Sequence, residues 1–275
     1  MRMRLYYLIF SIFMLAGISV AHLTLPDSVY HVAYPMLKVD IEEVYKQVDV
    51  NQLPTRILIV NHHLLAPDLI AQALAGIATK DKKTVVLISP NHFGVGNGFA
   101  ITTSFLWRTP YGELVADKNV IKQLVQNGVT LNSIPFEREH GIFNIIPFIK
   151  RSLPNARIVP IMIRDMVSPN DIDALAKILP PDAVIIGSFD FSHEVTSSVA
   201  DTQDAQSIRV LETFDISLVS RLALDSRPGL RLLMQYALLY NKRRFVLLGS
   251  SNSSKILNQP NQTNVTSYVT GYFTY

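Results

Sequence analysis

Imidazoles recur at the ends of short apolar runs in this chain. His62 follows Arg56-Ile-Leu-Ile-Val60, His92 follows Thr84-Val-Val-Leu-Ile-Ser-Pro-Asn91, and His193 follows Ala183-Val-Ile-Ile-Gly-Ser-Phe-Asp-Phe-Ser192, while His140 opens an amphipathic stretch. Imidazole is the commonest protein ligand for transition metals and the commonest general acid or base near neutral pH. Open α/β sheets bind ligands beyond the carboxyl ends of their strands, so three such histidines can share one crevice. The chain has no cysteine. That excludes a disulfide scaffold, a cysteine zinc site, an iron–sulfur cluster and a thiol nucleophile. A bound metal would have to use His, Asp, Glu or water.

The candidates differ in their neighbours. In the pair His62-His63 an extended turn sends successive side chains apart, so at most one reaches a pocket floor. Within Ser188-Phe-Asp-Phe-Ser-His193, Asp190 and Ser192 share one face of an extended chain and His193 takes the other. A Ser–His–Asp triad can be drawn from these residues, but the G-x-S-x-G elbow that exposes the serine of α/β-hydrolases is absent, which counts against that reading. Asp190 can instead orient a histidine. Glu139 before His140 also fits an acidic helix start. Phe93-Gly-Val-Gly-Asn-Gly98 lacks the spacing and following helix of a nucleotide fingerprint.

These residues need a scaffold, and the hydropathy pattern supplies one. Strands are predicted at 56–60, 84–89, 99–103, 157–163, 183–188, 244–248 and 269–273. Helices are predicted at 41–48, 67–78, 118–127, 140–151, 170–179, 202–224 and 228–240. Short β-branched runs alternating with helices imply an α/β fold: a single domain with a central, mostly parallel sheet covered by helices on both faces. Its 275 residues, 48% hydrophobic and 17% charged, suffice for one such core. Trp107 is expected in that core.

Arg2 and Arg4 precede an uncharged apolar run from Leu5 to Ala21, with small residues at Ser19 and Ala21. This pattern reads as a secretory signal or an uncleaved membrane anchor, placing the domain outside the cytoplasm. Residues 1–21 are assigned to it, 22–55 to a lead-in segment and 56–275 to the α/β domain. Without residues 1–21 the chain has 23 basic and 22 acidic residues, a net charge of +1. No basic stripe interleaved with aromatics remains, so nucleic acid is not an expected partner.

Taken in order, Asn-His62-His, Ser-Pro-Asn-His92-Phe-Gly, Glu139-His140-Gly, Ser188-Phe-Asp-Phe-Ser-His193 and Thr270-Gly-Tyr resemble the Memo family. Its prokaryotic members, known as AmmeMemoRadiSam system protein B, carry P-H-A-G-Y, G-P-x-H, E-H-S, S-S-D-L-S-H and V-G-Y at these places. Thr109-Pro-Tyr-Gly-Glu-Leu and the run from Phe148 to Ile163 agree as well. The resemblance implies a fold similar to the class III extradiol dioxygenases, which bind non-haem iron through two histidines and a carboxylate. Memo proteins carry two histidines and a cysteine at that site. The histidines map onto His62 and His92, while His63 falls on the alanine of the motif. Ungapped counting back from Arg244 puts the cysteine position at Asp225, or at Ser226 if the register slips by one.

The resemblance therefore implies a metal set of His62, His92 and Asp225. Two histidines and a carboxylate suit iron(II), with copper or zinc as alternatives, whereas thiolate favours softer ions such as copper(I). His193 is expected to move protons, Asp190 to orient it or touch substrate, and His140 to form a wall of the same pocket. The implied function is a metal-dependent oxidoreductase of dioxygenase type acting on a small molecule. Alternatives are a non-catalytic metal- or phosphopeptide-binding protein, and a metal-assisted hydrolase.

Overall fold

The computed structural model describes residues 30–32, 39–49, 51–78, 81 and 83–275. The apolar run 5–21, with the signal or anchor expected there, lies outside the described residues. Among the described residues no helix is long and apolar enough to cross a membrane.

The strands are β1 (Tyr30–Val32), β2 (Ile57–Val60), β3 (Thr84–Pro90), β4 (Ala100–Thr102), β5 (Leu106–Thr109), β6 (Gly112–Ala116), β7 (Thr130–Leu131), β8 (Arg157–Ile163), β9 (Val184–Ser188), β10 (Arg244–Asn252) and β11 (Ser267–Thr274). The helices are α1 (Ile41–Lys46), α2 (Pro67–Gly76), α3 (Lys118–Gln126), α4 (His140–Phe143), α5 (Ile146–Ser152), α6 (Pro169–Ile178), α7 (Ser197–Thr213), α8 (Arg227–Leu239) and α9 (Ser253–Ile256), with 3-10 turns at Ile134–Glu137 and Ile216–Arg221.

One mixed sheet runs β1-β5-β6-β8-β3-β9-β2-β11-β10, with β4 and β7 branching from β8. Its centre, β8-β3-β9-β2, is parallel throughout. Antiparallel pairs are confined to its flanks: β11 against β2 and β10, β5 against β6, and β4 against β8. The central strands are buried on both faces, which explains their unbroken apolar runs. Strand periodicity then divides the core in two. Ile57, Ile59, Val86 and Ile88 pack with Ile121, Leu175, Leu211 and Leu233 from α3, α6, α7 and α8. Leu58, Val60, Val85 and Leu87 pack with Tyr45, Ile70, Leu74 and Phe148 from α1, α2 and α5. Trp107 is fully buried in this second layer, its ring edge-on to Phe105.

Two predicted helices are broken in the structure. The stretch 140–151 divides into α4 and α5, and the stretch 202–224 ends at Phe214, whose backbone is left-handed (φ 55°). The hairpin β5–β6 has no predicted counterpart. It turns through Pro110-Tyr111 into Gly112, which sits at φ +101°. Thr109 Oγ1 receives the Tyr111 amide and donates to the Gly112 carbonyl.

The sheet meets the candidate site at Phe189. This fully buried ring is wedged between Gly187 and Gly229; a Cβ on Gly229 would lie 2.7 Å from it, and one on Gly187 would overlap it. Gly187→Ala is expected to cost about 1–3 kcal/mol, the usual range for overpacking. Urea denaturation would show it as a lower midpoint with an unchanged slope.

Candidate metal centre

Strands β3, β9 and β2 lie side by side, and each carries a polar side chain two residues beyond its end: His92, Asp190 and His62. The fourth group arrives from the helical layer. Ser226 caps α8, its hydroxyl accepting the Gly229 amide, with Pro228 in the first helical turn. This cap fixes Asp225 immediately before the helix. Asp225 is then tied to the loop after β9: its amide donates to the Asp190 carbonyl (3.1 Å), and its Oδ2 accepts the Asp190 amide (3.0 Å).

His62 is held on every side. Its amide donates to Asp190 Oδ1 (3.0 Å) and its carbonyl accepts from Asn144 Nδ2 (3.0 Å). Its Nδ1 lies 3.2 Å from Ser188 Oγ. Ser188 already gives its own hydrogen to the Gly141 carbonyl at 2.6 Å. Nδ1 must therefore carry the proton and donate, which leaves Nε2 as a lone pair. Burial pushes the His62 imidazole down to about 3, only partly opposed by the charge of Asp225, so the ring is neutral at physiological pH.

His92 is supported by a carboxylate. Its Nδ1 lies 2.6 Å from Glu139 Oε1 and its amide donates to Oε2 at 3.0 Å. Glu139 is fully buried and caps α4 by accepting the Gly141 amide at 2.9 Å. Burial would raise this carboxyl, but the His92 hydrogen bond and charge hold it below the ordinary value. Burial would likewise depress His92, yet hydrogen bonds and charge from Asp225 and Glu139 raise it to about 10. A carboxylate orienting an imidazole from behind is the usual arrangement around metal-bound histidine.

His140 completes the cluster. Its ring stacks on His92 (centroids 4.1 Å apart) and meets His62 edge-on at 5.1 Å. One nitrogen from each of His62, His92 and His140 lies within 4.8 Å of the others. Asp225 Oδ2 stands 3.3 Å from His62 Nε2 and 3.6 Å from His92 Nε2, with Asp190 Oδ2 a further 3.6 Å from His62 Nε2.

The donor set fits a cation. The lone pair on His62 Nε2 faces carboxylate oxygens of Asp225 and Asp190, an arrangement that needs positive charge among them, which protonated His92 supplies in the metal-free protein and a bound ion would supply in its place. Asp225 Oδ1 is buried with no hydrogen-bond partner among the described residues. His62 is only 1% exposed, whereas His92 and His140 are 21% and 26% exposed, so solvent reaches the cluster from their side.

A profile for "Memo-like protein" matches residues 24–271. This chain belongs to the Memo-like family. It is 35% identical over 141 residues to a MEMO1 family protein of Caldivirga maquilingensis, covering 48% of this chain and 50% of the relative. A MEMO1 family protein of Nitrosopumilus maritimus is 27% identical over 158 residues, covering 55% and 58%. One from Thermotoga maritima is 28% identical over 153 residues, covering 53% and 55%. The chain thus spans about half the length of the curated relatives it matches.

The other singled-out residues lie apart. His193 is exposed and outside the three-histidine cluster, although its charge acts on Asp190. Ser192 gives its buried hydroxyl to Asp204 Oδ1 at 2.8 Å, so no Ser192–His193 couple forms. His63 turns away and meets Tyr268 Oη at 2.6 Å. Asn144 carries no sequence signal, and Ser188 stands in a quoted motif but with no role assigned to it, because both roles arise only when β9 and α4 close on the His62 loop. Glu139 reads in the sequence as an acidic helix start. In the structure it caps that helix and also holds His92.

Proposed function

We propose that this Memo-like chain is a metal-dependent oxidoreductase of dioxygenase type, with its domain outside the cytoplasm and a small-molecule substrate entering beside His92 and His140. The observation that carries the reading is the Asp225 carboxylate beside the outward nitrogens of two oriented imidazoles, with one of its oxygens buried and unsatisfied. His62, His92 and Asp225 would hold the ion, and two histidines with a carboxylate favour iron(II) with open positions. Bound there, iron supplies Lewis-acid and one-electron chemistry.

The chain's own groups set the conditions. Ser188 and Glu139 fix the two imidazole tautomers and keep both outward nitrogens aimed at one point. His62, only 1% exposed, closes the rear of the site against water. Asp190, its carboxyl raised by burial, holds or releases a proton beside His62, and His193 passes protons between Asp190 and solvent.

Protein purified anaerobically is expected to contain about one iron per chain and to consume oxygen with a subset of a catechol panel. A folded protein that takes up no metal sinks the proposal. The third imidazole, His140, supports a second reading. A three-histidine set suits zinc, and zinc retained without oxygen uptake would favour a metal-assisted hydrolase.

The hydrogen-bond relay gives a further expectation. Ser188→Ala frees His62 to adopt the other tautomer and should weaken metal binding about 10–100-fold, the usual cost of losing an outer partner. Competitive titration against a chromogenic chelator would measure it.

A further inference from the structure

A cavity of about 460 Å³ opens at the end of the sheet opposite the histidines. Its wall includes Gln52, Arg56, Asp81, Lys83 and Lys242. Topology brings these together. Arg56 precedes β2, Lys83 precedes β3 and Lys242 precedes β10, while β2, β3 and β9 are parallel and β10 shares their direction through β11. His62 and His92 follow the same strands, so β3 alone, at ~3.3 Å per residue, separates the two sites by on the order of 20 Å.

Three cations thus face one cavity with one carboxylate. Lys83 meets Asp81 only at 3.8 Å, and that carboxylate is largely solvated. Arg56 uses one donor on the Asp182 carbonyl (3.1 Å), and the Lys242 ammonium lies 5.0 Å from the Tyr275 ring centroid. Among the described residues neither Arg56 nor Lys242 is ion-paired with a carboxylate. Burial, and then the charge of Arg56, hold Lys242 below the ordinary lysine value. Clustered like charges cost energy unless a counter-charge joins them. An arginine fork flanked by two ammonium groups suits a compact tetrahedral dianion.

We propose that this cavity binds a phosphoryl group, presented by a soluble phosphorylated small molecule or by a lipid headgroup. The test is calorimetric titration of the full chain with inorganic pyrophosphate, beside sedimentation with phosphatidylcholine vesicles containing or lacking phosphatidic acid. At least one phosphoryl probe is expected to bind saturably. Arg56→Gln and Lys242→Met should each weaken that binding about 10-fold, the loss of one charge-assisted contact. Metal-stripped protein should bind equally well, and Arg56→Gln should keep its metal content. Pyrophosphate binding assigns the group to a soluble ligand; sedimentation that requires phosphatidic acid, without pyrophosphate binding, assigns it to a headgroup. Lys83→Gln replaces Lys242→Met if circular dichroism shows the latter unfolded. Neither probe binding, or binding equal in wild type and variants, overturns the proposal.

Discussion

Asp225→Ala is expected to abolish stoichiometric metal retention while leaving the folded protein, once His92 is deprotonated, nearly as stable as before. The two effects separate because the carboxylate has few structural duties. Its Oδ2 accepts the Asp190 amide and pairs with the protonated His92 ring, and its Oδ1 accepts nothing among the described residues. Losing the first leaves a buried N–H unpaired, at about 1–3 kcal/mol. Against that, alanine removes a buried negative charge that faces the His62 lone pair and lies near Asp190. Above about pH 10, where His92 has lost its proton and its pairing with Asp225 no longer counts, the net change in metal-free stability should stay within about 2 kcal/mol, read from urea midpoints. Metal affinity should fall by more than the about 10–100-fold typical of outer-shell losses, because a direct donor is gone. Asp225→Cys carries the sharper chemical signature. It restores the thiolate that the family pattern implies, and preference should move from iron(II) toward copper(I). Competition titrations with both ions would show the crossover, and an unchanged preference would remove Asp225 from the ligand set.

The scaffold of this centre was legible in the sequence because its strands are buried on both faces. Ile57–Val60, Thr84–Pro90 and Arg157–Ile163 read as strands for the same reason that they occupy the middle of the sheet. The positions of His62 and His92 followed, since both stand just beyond such runs. Elements held by side-chain contacts were not legible. The break between α4 and α5 coincides with Asn144, whose amide is drawn to the His62 carbonyl. The β5–β6 hairpin is half-exposed and has neither a long apolar run nor a strict alternation. Among the histidines, the spacing favoured His193 as a pocket group over His140. Strand ends predict where the backbone arrives, not which way the next loop turns. The chain passes through a left-handed residue at Glu194, and His193 is exposed, while the Glu139 cap turns the start of α4 so that the His140 ring stacks on His92. Ser188 and Glu139 stand in recognisable motifs, but their support of His62 and His92 is a property of the assembled site.

Glu139→Gln tests that support most severely, and its effect should depend on pH. The buried carboxylate accepts three donors: the His92 ring, the His92 amide and the Gly141 amide. A glutamine offers one accepting oxygen and a competing amino group, so at least one buried donor is left unsatisfied, at about 1–3 kcal/mol. The lost charge matters as well. In the metal-free protein His92 is held protonated up to about 10, against an ordinary value of 6.5. A histidine raised on folding stabilises the fold fully below its unfolded value, and this contribution disappears as pH climbs through the folded value. Metal-free wild type should therefore lose stability between about pH 7 and pH 10, and Glu139→Gln should lose much less over that interval. Metal must displace the proton on His92 Nε2, so wild-type affinity should rise about tenfold per pH unit up to about pH 10. With that carboxylate neutralised only Asp225 still raises His92, so the slope should flatten at a lower pH than in wild type. Calorimetric metal titrations in buffers of different ionisation enthalpy would count the released proton. One proton released at pH 8 by wild type and a fraction of one by Glu139→Gln is the expected pair of results. Equal proton release in both would show that Glu139 does not govern the charge of His92.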